Sequence, residues 1–143
     1  MNTNNNKIMQ TRYLRILLVL VLAFCAITSF GGGVGLITTN GLGMTVESLN
    51  GVFSSFLFPG LILFFIVGGS SLFAAISGLQ NKSYAMWAAM VAGFGMQIWI
   101  YVELCIILSL HWLHSFYFAI GTLTLILTFL VHKNNKEEKS LQR

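Results

Sequence analysis

Four long apolar runs constrain the fold of this chain more than any other feature of its sequence. They are Leu14–Ile37, Phe56–Leu79, Tyr84–Leu110 and Leu113–Val131. Each reaches or nearly reaches the ~20 residues that an α-helix needs to cross a hydrocarbon core about 30 Å thick. Alternating strand patterns are absent from the runs, so a transmembrane barrel is not expected. The sequence therefore predicts an all-α membrane protein, a bundle of four transmembrane helices.

The scarcity of charge supports the same conclusion. Only 8% of the residues are charged and 56% are hydrophobic, whereas about a quarter of the residues in a soluble domain are charged. Because so few charges could not cover a soluble surface, lipid is expected to replace water around most of the chain. The 143 residues suffice for one domain, which we place at residues 14–132 in the cell (inner) membrane.

The basic residues predict the orientation of the bundle. All eight Lys and Arg side chains lie at or beside the two tails (residues 1–13 and 133–143) or in the turn at 80–83. The predicted external loop, 38–55, and the turn at 109–112 hold none. The positive-inside rule therefore predicts that both termini are cytoplasmic. A nucleic-acid partner is not expected, since no basic face with interleaved aromatic residues is formed. The basic residues are Lys7, Arg12, Arg15, Lys82, Lys133, Lys136, Lys139 and Arg143.

Local signals predict where helices begin and end. Pro59 is expected in the first turn of the second helix, where its missing N–H costs nothing extra. The glycine-rich run Gly31–Gly35 is expected to end the first helix and to allow close packing. The stretch Thr45–Leu49 is amphipathic and is expected to make one helical turn. The Asn-rich start and the tail from Asn134 are polar and are expected to be unstructured.

The two cysteines are not expected to form a disulfide. Cys25 and Cys105 both lie inside apolar runs, and no C-x-x-C pair is present. Their predicted depths in the membrane differ by roughly 15 Å at about 1.5 Å per helical residue, whereas a disulfide needs Cα atoms within about 7 Å. We expect two free thiols that face lipid or the core.

Glu103 is the only acidic residue inside an apolar run, and ionisable groups inside a membrane are candidates for a functional site. The helical period places it on one face with a series of small or aromatic residues, and this face is predicted to look into the bundle. Its depth, about 28 Å along the helix, is close to the edge of the hydrocarbon. A structural role and a role as a proton or ligand site both remain open. The face comprises Ala85, Ala89, Ala92, Met96, Trp99 and Glu103.

Polar residues on the third and fourth helices extend this candidate intramembrane site. On the fourth helix, polar and small residues form a stripe along one face. This stripe could line a path for water, protons or a small solute, or it could pack tightly against another helix. Gln97, nearer mid-membrane, is expected to bond Ser70, Ser71 or a threonine of the fourth helix. The candidate site residues are Glu103, Gln97, His114, Tyr117, Thr124 and Thr128; the stripe also contains Gly121 and His132.

The two histidines of the outer turn are the weak candidates for metal binding. His111 and His114 follow Glu103 in sequence, and imidazole with carboxylate is a common ligand combination. Their spacing is not a recognised ligand motif, so interfacial histidines without a metal are the favoured interpretation. No cofactor is predicted, and no catalytic residue is assigned.

The chain resembles small uncharacterised four-helix multi-pass membrane proteins of bacteria. The resemblance is carried by the glycine-rich part of the first helix, the segment Phe56–Leu61, the stretch Gly68–Ser71, and Trp99-Ile100 before a polar residue at 103. A short turn into Ser115-Phe116-Tyr117 also fits. It implies an inner-membrane location and supplies no catalytic residues.

These features predict a non-enzymatic protein, a structural or accessory membrane component that acts through helix–helix contacts. The expected partners are the lipid bilayer and either further copies of the chain or a larger membrane complex. The alternative is a small transporter or channel subunit that uses Glu103 and the stripe of the fourth helix. A third hypothesis is a membrane enzyme or cofactor binder that uses His111 and His114.

Overall fold

The computed structural model describes residues 3–141, apart from the side chains of residues 3–5, 138, 139 and 141. Its long helices are α1 (Thr3–Thr39), α2 (Leu57–Leu79), α3 (Ala85–Ile107) and α4 (Trp112–Leu141). All four are long and apolar enough to cross a membrane, and no strand occurs in residues 3–141. The predicted all-α fold with four such helices is confirmed.

The connections meet at the two ends of the bundle. The start of α1, the turn at 80–84 and the end of α4 form what we call the tail end, where Lys7 Nζ lies 3.3 Å from Glu137 Oε2. The loop at 40–56 and the turn at 108–111 form the loop end. There Asn50 Nδ2 donates a hydrogen bond to the Ile106 carbonyl at 2.6 Å. The first and last described residues of the chain therefore lie at the same end of the bundle.

Small and aliphatic side chains fill the half of the bundle nearer the tail end. Alanines of α2 and α3 allow these helices to approach the leucines of α1 and α4 closely. The face of α3 that was predicted to look inward is buried from Ala85 to Trp99, so this prediction is confirmed. The cluster comprises Leu18, Leu22, Ala74, Ala75, Ala89, Ala92, Leu127 and Val131.

Large apolar side chains cover the outside of all four helices. Ile27 is 71% exposed, Phe65 66% and Phe129 66%. Water-soluble monomers rarely expose contiguous apolar surface on this scale. This exterior is suited to contact with lipid chains, which agrees with the sparse charge of the sequence.

The glycine-rich run of α1 packs closely, as predicted, but the helix does not end there. The helix continues to Thr39, and Asn40 and Gly41 then adopt φ values of 49° and +123°. A Cβ atom on Gly33 would lie 2.8 Å from the Gly60 carbonyl oxygen. The expected termination at Gly31–Gly35 is therefore wrong. Glycines weaken a helix that has no packing partner, but here the contact with α2 stabilises α1.

Helix α2 contains a segment that the sequence did not predict. It begins at Leu57, so Pro59 lies in its first turn as expected. From Ile62 to Gly68 it is wound as a π-helix before α-helical geometry resumes. This segment faces the glycines of α1, and the Phe30 and Phe64 rings are 4.7 Å apart. The backbones of α1 and α2 therefore approach closely at the segment where α2 has the wider π-helical turns.

The expectation of unstructured tails is wrong for the described residues. Helix α1 begins at Thr3, and α4 continues to Leu141. The Arg15 guanidinium donates to Asn135 Oδ1 at 3.2 Å, and Lys7 pairs with Glu137. Propagating an existing helix costs much less than starting one, and these cross-links hold the two extensions together. Residues 1, 2, 142 and 143 lie outside the described part of the chain.

The loop at 40–56 is anchored to the bundle. Val46–Leu49 forms a single 3-10 turn, which confirms the predicted helical turn. Leu49 and Phe56 are buried in one cluster with Leu36 of α1. Asn40 Oδ1 accepts a hydrogen bond from the Phe56 backbone N–H at 3.2 Å. The loop therefore covers the loop end of the bundle with its own small apolar core.

Candidate functional site

A cavity of about 360 Å³ lies in the half of the bundle nearer the loop end. All four helices and the loop contribute to its walls. Leu42, Met44 and His111 are exposed lining residues and mark its rim at the loop end. The lining residues are Thr28, Ser29, Gly32, Leu36, Leu42, Met44, Leu63, Met96, Trp99, Ile100, Glu103, His111, Leu113, His114 and Tyr117.

Glu103 and His114 face each other in this cavity. Glu103 Oε2 lies 3.7 Å from His114 Nε2, and the side chains are 21% and 11% exposed. Glu103 occupies the inward face of α3 one turn beyond Trp99, whereas His114 lies in the first turn of α4. The sequence had identified both residues as candidates. The structure adds that they meet across the short turn between the helices.

The backbone fixes the direction of the His114 ring. The backbone N–H of His111 donates to His114 Nδ1 at 3.0 Å. A neutral imidazole whose Nδ1 accepts a hydrogen bond carries its proton on Nε2. The Nε2–H is therefore directed toward the Glu103 carboxylate without a second proton on the ring.

The remaining cavity wall is mainly apolar. The Thr28 hydroxyl donates to the Phe24 carbonyl at 2.9 Å, so its proton is used within α1. Met96, Trp99 and Ile100 supply apolar surface from α3. An ionised carboxylate beside such a wall interacts more strongly with an opposite charge than it would in water. The arrangement suits a small apolar molecule that carries a positive group.

The cavity ends inside the bundle. Cys25, Val67 and Met96 are buried together at its inner side, and the packed cluster of small and aliphatic side chains follows toward the tail end. The half of the bundle nearer the tail end therefore separates the cavity from that end.

Gln97 does not belong to the cavity. Its Nε2 donates to Thr122 Oγ1 at 2.8 Å, which joins α3 to α4. The prediction of a threonine partner on the fourth helix is confirmed. Such interhelical bonds contribute about 0.6–2 kcal/mol in membrane proteins, so Gln97 is accounted for by packing.

The structure divides the polar stripe of α4. His114 and Tyr117 line the cavity, whereas Thr124 and Thr128 are buried and donate to the Ile120 and Thr124 carbonyls. Threonines that bond their own helix suit close packing. Of the stripe, His114 and Tyr117 thus line this cavity, and Thr124 and Thr128 do not.

A metal centre is not supported by the residues that the structure describes. His111 and His114 both line the cavity with Glu103, but no group of three or more His, Cys, Asp or Glu in the described range is placed to hold a metal ion. Cys25 is buried and Cys105 exposed, and both are free thiols as predicted.

Sequence reasoning missed the contribution of the loop and of α1. Leu42 and Met44 reach the cavity from a loop whose path no periodicity reveals. Thr28 and Ser29 belong to an apolar helix without a polar stripe. The gap they border could not be found without knowing how the helices pack.

Comparison with known protein families, with curated proteins and with solved structures found no match.

Proposed function

We propose that the protein is a multi-pass component of the cell (inner) membrane with both termini in the cytoplasm. Four helices of sufficient length and an apolar exterior support insertion. The basic side chains support the orientation, because Lys7, Arg15, Lys82 and Lys136 all belong to the tail end. By the positive-inside rule the tail end is cytoplasmic and the loop end faces outward. Its immediate partner is the lipid bilayer.

We further propose that the outward cavity binds a small apolar cation and that the protein does so without catalysing a reaction. The observation that carries this proposal is the Glu103–His114 pair in a cavity whose other walls are mainly apolar. A partly buried carboxylate without a Lys or Arg partner loses part of its hydration, which is costly while it is ionised. A ligand cation would supply that partner, and the apolar wall would receive the rest of the molecule.

Two further hypotheses are supported less well by the geometry. The small-residue faces that suggested an accessory role through contacts with other proteins are used within the chain, since Gly33 meets Gly60 and Gly93 meets Gly121. A transporter or channel would need a path from the cavity to the tail end, but Thr124 and Thr128, which lie on α4 between the two, are buried. A binding component therefore accounts for more of the observed contacts, whether it acts alone, as a homo-oligomer or in a larger membrane complex.

The test uses benzyltrimethylammonium and its uncharged isostere neopentylbenzene as probes. Trp99 lines the cavity, so its fluorescence in a background with Trp87→Phe and Trp112→Phe reports binding. We expect saturable quenching by the cation in detergent-solubilised protein. Glu103→Gln should weaken it about tenfold, equivalent to about 1.4 kcal/mol, while binding of the neutral isostere should change little.

Glu47→Gln is the matched control. Glu47 lies in the loop at the same end of the bundle, and hydrogen bonds from the Thr45 side chain and from its own backbone lower its pKa. This second carboxylate does not line the cavity, so its substitution should leave the affinity unchanged. Equal affinity of the cation for the wild type and Glu103→Gln, or no saturable quenching, would contradict the proposed ligand class.

A further inference from the structure

A second cavity, of about 630 Å³, lies at the tail end. It is bordered by residues of all four helices and of the turn between α2 and α3. Three of its lining residues are basic and come from separate segments: Arg15 from α1, Lys82 from the turn and Lys136 from α4. The other lining residues are Gly78, Asn81, Ser83, Ala85, Met86, Trp87, His132 and Asn135.

Arg15 is held in place by neutral groups. Its guanidinium donates to Asn81 Oδ1 and, at 3.2 Å, to Asn135 Oδ1. These amide oxygens orient the side chain, which is only partly exposed, but they do not neutralise its charge. A fixed guanidinium with remaining N–H donors is suited to bind phosphate.

The described carboxylates do not balance the charge of this cavity. Across the side chains that the structure describes, the ion pairs are Lys7 with Glu137 and His114 with Glu103. Neither pair includes Arg15, Lys82 or Lys136. The residues that line the cavity include no aspartate or glutamate. Three converging cations thus lack an anionic partner within the described part of the chain.

The cavity lies where the apolar runs end. Arg15 follows the first residue of the first run, and Lys136 comes shortly after Val131. Trp87 borders the cavity and is 69% exposed, and nearby Tyr84 is 45% exposed. Tryptophan and tyrosine are enriched at the level of lipid headgroups. The basic cavity is therefore at headgroup depth and adjoins an apolar surface suited to acyl chains.

From this geometry we propose that the tail-end cavity binds the headgroup phosphate of an anionic phospholipid through Arg15, Lys82 and Lys136. The side-chain amides of Asn81 and Asn135 fix the guanidinium toward the phosphate. The acyl chains of the lipid lie along the exposed side of Trp87. This site is separate from the Glu103 cavity, and it requires membrane insertion but no ligand at the loop end.

Lipid retention measures this proposal directly. The full chain is reconstituted in nanodiscs of phosphatidylcholine with a minor fraction of phosphatidylglycerol, released into mild detergent, and analysed by native mass spectrometry. We expect the ratio of retained phosphatidylglycerol to retained phosphatidylcholine to exceed the ratio supplied in the nanodiscs. Loss of one basic contact should lower the apparent affinity about fivefold, so Arg15→Gln and Lys136→Gln should each reduce retention by that factor.

Arg12→Gln is the matched control, because Arg12 is an exposed arginine of the same helix that does not line the cavity. It should change retention less than twofold. If Arg15→Gln fails to fold, the exposed Lys136 provides the same test. Retention of the two lipids in the ratio supplied, or an effect of Arg12→Gln equal to that of Arg15→Gln, would overturn the proposal. A separate arm adds inorganic phosphate: displacement of phosphatidylglycerol at millimolar phosphate would show that free phosphate, not lipid, is the favoured occupant and would also overturn it.

Discussion

Gly33 and Gly31 lie in the same glycine-rich part of α1 but have different surroundings. A Cβ atom on Gly33 would lie 2.8 Å from both the Gly60 carbonyl oxygen and the Phe64 Cβ atom, whereas nothing lies within 4 Å of one on Gly31. Because backbone cannot yield as a flexible side chain does, Gly33 fixes the distance between α1 and α2. Gly31 has no such role in the packing.

Because of these surroundings, an added methyl group should have different effects on stability at the two positions. Gly33→Ala should lower the free energy of unfolding by about 1–3 kcal/mol, because α1 and α2 would have to separate. Gly31→Ala should be neutral or should stabilise the helix by up to about 1 kcal/mol. Unfolding in mixed micelles, followed by circular dichroism, measures both. Similar effects of the two substitutions would show that the α1–α2 contact is not as close as described.

At the residue scale, the candidate site residues could be predicted from the sequence more reliably than the side chains that contact them. Glu103 and His114 stood out because ionisable groups are rare in apolar segments. Their meeting at 3.7 Å depends on the turn between α3 and α4, and sequence spacing across a turn does not specify side-chain direction. Gln97 and a threonine were paired correctly, because a mid-membrane amide needs a hydrogen-bond partner and few were available.

Among the connecting elements, the loop at 40–56 has its own packing. Phe56 is 1% exposed and lies against Leu36 and Leu49, whereas Phe58, at the start of α2, is 59% exposed. The buried ring also lies beside Gly41, where a Cβ atom would be 2.6 Å from it. Phe56 is therefore one of the side chains that hold the loop to the bundle.

Truncation of these two phenylalanines should show whether the stability of the protein depends on where the ring is buried or only on the loss of a phenylalanine. Phe56→Ala should destabilise the protein by about 3–5 kcal/mol through the lost apolar contacts and the cavity it leaves. Phe58→Ala removes the same group from an exposed position and should change stability by less than about 0.5 kcal/mol. Thermal unfolding in detergent and protease resistance of the loop measure the effect. Equal sensitivity at both positions would argue that the loop is not packed on the bundle.

At the element scale, the presence of the four helices was more predictable than the residues at which they begin and end. The four apolar runs specify four helices, because only a helix satisfies its backbone hydrogen bonds within one segment in lipid. The extension of α1 to Thr3 and of α4 to Leu141 was missed, because it depends on contacts such as Lys7 with Glu137 between distant parts of the chain. The π-helical winding of 62–68 likewise has no signature in the sequence.

For the whole molecule, the two halves of the bundle have different designs. The half nearer the tail end is filled by alanine, leucine and valine side chains, and the half nearer the loop end surrounds a cavity with a carboxylate. A uniform hydropathy pattern conceals this difference, because both halves are apolar in sequence. The proposed binding role depends on the cavity being open to the outside and closed toward the cytoplasm.

Labelling of single cysteines in intact cells tests this claim most directly. In a background with Cys25→Ala and Cys105→Ala, cysteine is introduced at Ser48 in the loop, at Thr28 in the cavity wall or at Ser83 in the tail-end turn. A small, charged, membrane-impermeant methanethiosulfonate is then added to the cells. Thr124→Cys, in the packed half of α4, serves as the buried reference.

We expect rapid labelling of Ser48→Cys, slower but complete labelling of Thr28→Cys, and labelling of Ser83→Cys only after the cells are permeabilised. Thr124→Cys should remain unlabelled in both conditions. Labelling of Ser83→Cys in intact cells would contradict the proposed orientation. Protection of Thr28→Cys while Ser48→Cys reacts would contradict a cavity that is open to the outside.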